Sequence, residues 1–299
     1  MEQEPENQSK KSWYDKHYKT LLIIPAILLL LSFIYLFQFN AKNGDLVYKD
    51  VSLTGGTTIT VFDENTDIKQ LKSALQVDFP DLIVRGISDI RTGKQQAFFV
   101  ETSSSREDIK SALENYLGYE LNQDNSSIEF SGSSLSAGFY QQLKVAIFIA
   151  FLFMALVVFL IFRTPIPSIA VILSAFADIT MTIVVIDLFG MPLSIGGIVA
   201  LLMLIGYSVD TDILLTTRIL KRREGSLNER MLGALKTGLT MTLTSIAAIA
   251  VALIIIYSFS ETLRQIFTIL LIGLGFDIFN TWITNASILK WYAEKRNIQ

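Results

Sequence analysis

The sequence predicts a membrane α-helical bundle of six transmembrane helices, with an α+β ferredoxin-like extracytoplasmic domain inserted between helices 1 and 2. Three observations lead there. Six apolar runs are each long enough to cross a bilayer at about 1.5 Å of rise per residue. Of the 299 residues, 51% are hydrophobic, and the mean hydropathy is +0.45, more apolar than a soluble chain could hide. One interval of ordinary soluble composition, residues 41–138, separates the first run from the other five. Membrane lipid is therefore the first partner the composition implies.

The same composition excludes other classes. A net charge of −3, with no basic run interleaved with aromatics, argues against nucleic acid. The absence of cysteine removes disulfides, thiolate metal sites and cysteine nucleophiles. The single histidine, His17, sits beside Lys16 and Lys19 in a charged flank and reads as solvated. No metal, cofactor or catalytic residue is expected, and the chain reads as a non-enzyme.

Residues 1–19 form a polar tail in which Lys10, Lys11, Lys16 and Lys19 precede the first apolar run, residues 21–39. That run is too long for a signal-peptide core and lacks a small-residue cleavage pattern, so residues 20–40 are expected to remain as helix 1. Pro25 falls in its first turns, where a missing N–H is tolerated. Between residues 41 and 138 strands are expected at 58–62, 82–87, 96–101 and 127–130. A helix opened by Asn65 or Thr66 follows the first strand, and one capped near Ser104 or Ser105 follows the third. The order β-α-β-β-α-β is that of the ferredoxin-like split βαβ fold, which by itself names no function.

The five-helix region, residues 139–290, divides at short loops into spans of about 143–162, 166–188, 193–217, 236–259 and 263–289. Residues 291–299 form a second tail. Arg163, the run from Arg218 to Arg223 with Arg230, and the tail lysines and arginine fall on the side of the N-terminus. Both termini are thus expected in the cytoplasm of a multi-pass cell-membrane protein, with residues 41–138 outside. One span, a domain and five spans do not divide into two halves, so the chain shows no internal duplication.

Four acids lie inside the spans, and an intramembrane acid is a functional-site hypothesis by default. Asp178, Asp210, Asp212 and Asp277 lie roughly 16, 12, 9 and 18 Å from the cytoplasmic ends of their helices. At about 100° per residue, Asp210 and Asp212 point some 200° apart and cannot share a groove. Asp210 shares its face with Gly206, Tyr207 and Leu214, and Asp212 with Ser208 and Thr216. One of the pair could line the bundle interior while the other meets a partner subunit or hydrates from the cytoplasmic side, and Asp210 is favoured as the functional acid, at a depth similar to that of Asp178 and Asp277. Thr237, Thr240, Thr244 and Ser245 on the fifth span, Ser174 and Thr182 beside Asp178, and Asn280 and Thr281 after Asp277 could hold water between the acids. The plainer reading is that each hydroxyl bonds a carbonyl one turn back, and that Asp178 and Asp277 join helices. Gly196, Gly197, Gly206, Gly238, Gly273 and Gly275 read as close-packing positions, and Lys236 as a cation reaching the cytoplasmic interface.

Leu53-Thr-Gly-Gly-Thr57, Gly206-Tyr-Ser-Val-Asp-Thr-Asp-Ile-Leu-Leu, Ser226-Leu-Asn-Glu229 and Asp277-Ile-Phe-Asn-Thr-Trp-Ile-Thr-Asn285, on six spans with one large outer domain, resemble the SecF family of protein-export membrane proteins. That family belongs to the resistance-nodulation-division superfamily, and the wording of the final span is similar to its archaeal members. The resemblance covers nearly the whole chain from the first span. It implies a partner, SecD, which supplies the missing half of a twelve-span bundle. It further implies action at a SecY-type translocon on translocating preprotein, driven by the proton gradient. The bacterial SecF pattern places its acid at the position of Thr211, with Asn at 210, whereas the wording here resembles the SecD motif and makes Asp210 the proton-coupling candidate. An arginine of the bacterial fifth span is Gly233 here, leaving Lys236 as its nearest substitute.

Three other readings compete. A passive translocon-stabilising scaffold would need none of the acids. Half of a proton-driven small-molecule exporter would normally carry both halves in one chain. An intramembrane aspartyl protease would need a Gly-x-Gly-Asp turn, but Gly273-Leu-Gly275-Phe-Asp277 has one residue too many.

Overall fold

The computed structural model describes residues 13–89, 92–222, 224–257 and 260–296. Lys10, Lys11, Arg223 and the expected end of the fifth span at Phe259 lie outside them. A short helix, α1 (Trp13–Leu21), runs into the long apolar α2 (Ile23–Asn43), and together they supply the first of six helices, among the described residues, long and apolar enough to cross a membrane. Gly44, at φ 76°, ends α2 in the left-handed conformation that glycine adopts without penalty.

The outer domain runs α3 (Val51–Thr54), β1 (Gly56–Val61), α4 (Ile68–Leu75), β2 (Ile83–Ser88), β3 (Gln95–Thr102), α5 (Arg106–Leu117) and β4 (Ser126–Ser131). Its four strands pair antiparallel in the order β2-β3-β1-β4, which is the ferredoxin-like arrangement the sequence predicts. Asp67 caps α4 rather than Asn65 or Thr66, because Asp63 Oδ1 accepts from both of those backbone N–H groups and folds them into a turn. Ser105 caps α5 as expected. Ile59, Val61, Phe98 and Val100 on the sheet pack with Leu71, Leu75, Ile109 and Leu113 of the two helices, forming a core on one face only. The other face carries Thr58, Thr60, Phe99 and Glu101 into a cavity of about 650 Å³, whose opposite wall is Ser194, Ile195, Gly196, Thr262 and Gln265 of the membrane region.

A strap between α2 and β1 fastens this domain to the bundle. Asp50 N donates to Leu193 O (3.0 Å), Leu193 N to Tyr48 O (2.7 Å) and Ile195 N to Ser52 Oγ (3.2 Å). Tyr48 N donates to Asp187 Oδ1 (3.4 Å) and Tyr140 OH to Asp45 Oδ1 (2.8 Å). Beneath the strap, buried Gln265 donates to Pro192 O (2.5 Å) and accepts from Ser194 N and Ser194 Oγ.

The remaining membrane helices are α6 (Ser133–Phe162), α7 (Pro165–Leu188), α8 (Ile195–Lys221), α9 (Leu227–Ile256), α10 (Glu261–Phe279) and α11 (Ala286–Lys295). The last two join through a π-helical turn, Asn280–Asn285, into one span. Arg163 stops α6 at φ 52° and Pro165 opens α7, while Ser226 and Glu229 form a capping box that starts α9 nine residues before the expected span. Helices α7 and α8 are buried at the centre, with α2, α6 and α9 at the periphery. Leu204 of α8 fills the space that a Cβ at Gly273 would occupy, which brings α8 and α10 into close approach.

Candidate functional site

Helices α7, α8 and α10 each bring one carboxylate to the centre of the bundle. Asp178, Asp212 and Asp277 are 0%, 0% and 1% exposed, so none is reached from outside this chain. Such groups are tolerated only where donors replace the water they have lost. Asp178 Oδ1 accepts from Asn280 Nδ2 (2.7 Å) and Oδ2 from Ser208 Oγ (2.5 Å). Asp212 Oδ1 accepts from Asn285 Nδ2 (2.7 Å) and lies 2.9 Å from Thr281 Oγ1. Asp277 Oδ1 lies 3.0 Å from Thr211 Oγ1 and 3.1 Å from Thr281 Oγ1, and its Oδ2 lies 3.5 Å from Thr242 Oγ1. Thr281 thus bridges Asp277 and Asp212, while Ser208 of the same buried stripe of α8 holds Asp178.

The π-turn makes this possible. An α-helix would point Asn280 and Asn285 about 140° apart, whereas a turn that closes from i to i+5 nearly superposes residues five apart. Asn280, Thr281 and Asn285 are all buried and all face the acids. Three polar atoms at the Asp212 end, Asp212 Oδ2, Ser174 Oγ and Asn285 Oδ1, have no hydrogen-bond partner among the described residues, and Ser174 lies against Asp212.

The placement of the adjacent pair on α8 reverses the expectation. Asp212, not Asp210, meets Asp178 and Asp277 in the interior, while Asp210 stands on the exposed face with Gly206 and Tyr207. The division of the two acids onto opposite faces is as helix geometry requires, but the choice of inner face is opposite. The buried stripe of α8 runs Leu204, Ser208, Thr211, Asp212, Leu215, Thr216 and Ile219. Asp212 belongs to that 3.6-residue repeat and Asp210 does not. The repeat was present in the sequence, and hydroxyls flanking Asp212 at both i−4 and i+4 were its signal.

The threonines of α9 need a similar correction. Thr240 and Thr244 face outward and donate to Lys236 O and Thr240 O, a turn back on their own helix. Thr242, which the sequence reading passed over, is the α9 residue that reaches Asp277. Thr281 does join the acids. Lys236 is exposed, and the cation beside Gly233 is Arg218, whose Nη2 donates to Thr237 Oγ1 (2.9 Å).

A six-span bundle with a ferredoxin-like domain after its first helix and acids at its centre defines a multi-pass membrane protein. The family model described as protein export membrane protein SecD/SecF, C-terminal, matches residues 110–295. The protein-export membrane protein SecF of Methanocaldococcus jannaschii is 41% identical over 286 residues, covering 93% of this chain and 96% of that protein. That of Methanothermobacter thermautotrophicus is 40% identical over 292 residues, covering 94% and 95%. The chain belongs to the SecF family of protein-export membrane proteins. The crystal structure of SecDF from Thermus thermophilus, described as a translocon-associated membrane protein, superposes with a TM-score of 0.74 over 95% of this chain at 19% identity, a likeness of fold. This chain spans 39% of the length of that structure.

Asn280→Ala leaves a buried oxygen of Asp178 without its amide donor and is expected to destabilise the purified chain by about 1.5–3 kcal/mol. Thr244→Val removes a hydroxyl bonded only to its own helix and is expected to stay within about 0.5 kcal/mol. Thermal unfolding in one detergent compares the two, and equal losses would contradict this placement of the site.

Proposed function

We propose that the chain is the SecF subunit of a proton-coupled accessory complex, acting with SecD to promote preprotein movement through a SecY-type translocon. The observation that carries the proton coupling is a set of three buried carboxylates on three helices, two of them bridged by the Thr281 hydroxyl and the third bonded by Ser208. Proton transfer through a bundle needs titratable groups joined by hydroxyls or water, and intramembrane carboxylates in this arrangement are what proton relays use.

Pairing with SecD accounts for Asp210. A charge facing hydrocarbon near mid-bilayer costs about 2.5–3.5 kcal/mol on insertion scales, so the face of α8 that carries Met203, Gly206, Tyr207 and Asp210 is a surface another protein covers. A second six-span half, related to this one by a pseudo-twofold axis, fits that need. The SecDF structure contains a region of this fold within a longer chain, which supports SecD as the supplier. Asp210 then sits at the interface of the halves and the three inner acids within this half. The outer domain, strapped to α7 and α8, is the part that would meet emerging polypeptide.

Co-purification from native membrane is expected to bring SecD along with the wild-type chain and with Asp210→Asn. Gradient-dependent export by Asp277→Asn, which neutralises the inner acid that Thr211, Thr242 and Thr281 all meet, is expected to fall by at least about tenfold. A passive scaffold would leave export unchanged in that variant.

The lysine and arginine distribution supports cytoplasmic termini and an extracytoplasmic residue 41–138 domain. Because the chain has no cysteine, Lys94→Cys and Glu224→Cys are clean reporters. An impermeant thiol reagent added to intact cells is expected to label position 94 alone, and the reverse pattern would invert the topology.

A further inference from the structure

Thr281 stands between two acids with a single proton to give. Its Oγ1 lies 2.9 Å from Asp212 Oδ1 and 3.1 Å from Asp277 Oδ1, and all three groups are buried. A hydroxyl donates once and accepts through its lone pairs. Thr281 therefore satisfies both contacts only if it donates to one carboxyl and accepts from the other, and that other carboxyl must carry a proton. The two ends differ in their remaining partners. Asp277 is held by Thr211 at 3.0 Å and Thr242 at 3.5 Å. Asp212 has Asn285 Nδ2 on the oxygen that Thr281 meets, while its Oδ2 is unpartnered and the equally unpartnered Ser174 Oγ lies against the same residue.

We infer that the Thr281 hydroxyl is the proton relay between Asp277 and Asp212. In the step, the Oδ1–H bond of protonated Asp277 breaks as its proton passes to Thr281 Oγ1. The original Thr281 O–H bond breaks as that proton passes to Asp212 Oδ1. Asp277 becomes the carboxylate, Asp212 the acid, and the threonine is unchanged, so one proton moves from α10 to α8 with no other reactant. Thr242 is placed to donate to the carboxylate left on Asp277, and Thr211, whose hydroxyl also lies 2.9 Å from Ser208 O, can turn its single proton to it. Asn285 is a positioning residue: its amide holds Asp212 Oδ1 towards Thr281, and the π-turn sets Thr281 and Asn285 on one side of the span.

This relay rests on the proton-coupled reading above, and the test separates the two. The complex of this chain with SecD is reconstituted in vesicles enclosing a pH-sensitive dye, and proton uptake is followed after a gradient is imposed. Thr281→Val keeps the side-chain shape and removes the hydroxyl, and is expected to slow uptake at least about tenfold, with Thr281→Ser restoring it. Uptake by the wild type that persists unchanged in Thr281→Val overturns the relay alone, while no uptake by the wild type overturns proton coupling itself. If Thr281→Val does not assemble, the pH-dependent infrared carboxyl spectrum of the complex decides. The Asp212 band, identified by its loss in Asp212→Asn, must move in Asp277→Asn if one proton is shared, and an unmoved band overturns the relay.

Discussion

A carboxylate in hydrocarbon must be surrounded by donors or it destabilises the helix that carries it, and the central architecture of this chain answers that requirement three times over. Asp178, Asp212 and Asp277 come from α7, α8 and α10, and α8 and the last span lend donors to acids on the other helices: Ser208 to Asp178, Thr211 to Asp277, Asn280 to Asp178, Thr281 and Asn285 to Asp212. Removing one element would strand groups on the other two. The same need explains why the last span departs from α-helical winding at Asn280–Asn285, where three donors must reach one side. π-turns recur at functional sites because they re-aim side chains within an otherwise regular helix.

The helices that hold the acids also hold the outer domain. α7 carries Asp178 near its middle and Asp187 at its outer end, nine residues or roughly 14 Å further on, and Asp187 accepts from Tyr48 of the strap. Leu193, between α7 and α8, and Ile195, the first residue of α8, complete the strap's hydrogen bonds, and Gln265 of α10 lies beneath them. A change in packing at the acids therefore bears on elements bonded directly to the base of the outer domain. The open face of the sheet and the cavity of about 650 Å³ beneath it lie above those same helix ends.

Much of this fold was legible in the sequence because its signals are local. Length and hydropathy mark six spans, and the alternation of short strands with two amphipathic helices marks the ferredoxin-like domain, where Ser105 was legible as a cap and Asp67 was not. The site was legible in part. Its acids could be named, and Asp210 and Asp212 could be set on opposite faces, because both follow from residue type and helix geometry. Which face turns inward depends on tertiary packing, and there the wording around Asp210 outweighed the repeat of Ser208, Asp212 and Thr216 that marks the buried stripe. The π-turn left no local signal: with α-helical spacing Asn280 and Asn285 diverge, so their convergence could not be read from position alone. Thr242 was hidden among the threonines of α9 for the same reason, since only the contact with α10 distinguishes it from Thr240 and Thr244.

The central claim is that the three inner acids couple export to the proton gradient and do more than join helices. The most direct measurement is preprotein export by vesicles containing the complex with SecD, with and without an imposed proton gradient. It compares wild type with a variant in which Asp178, Asp212 and Asp277 are all replaced by Asn. The account predicts that the variant assembles but loses the gradient-dependent increment of export. An increment equal to that of the wild type would contradict it.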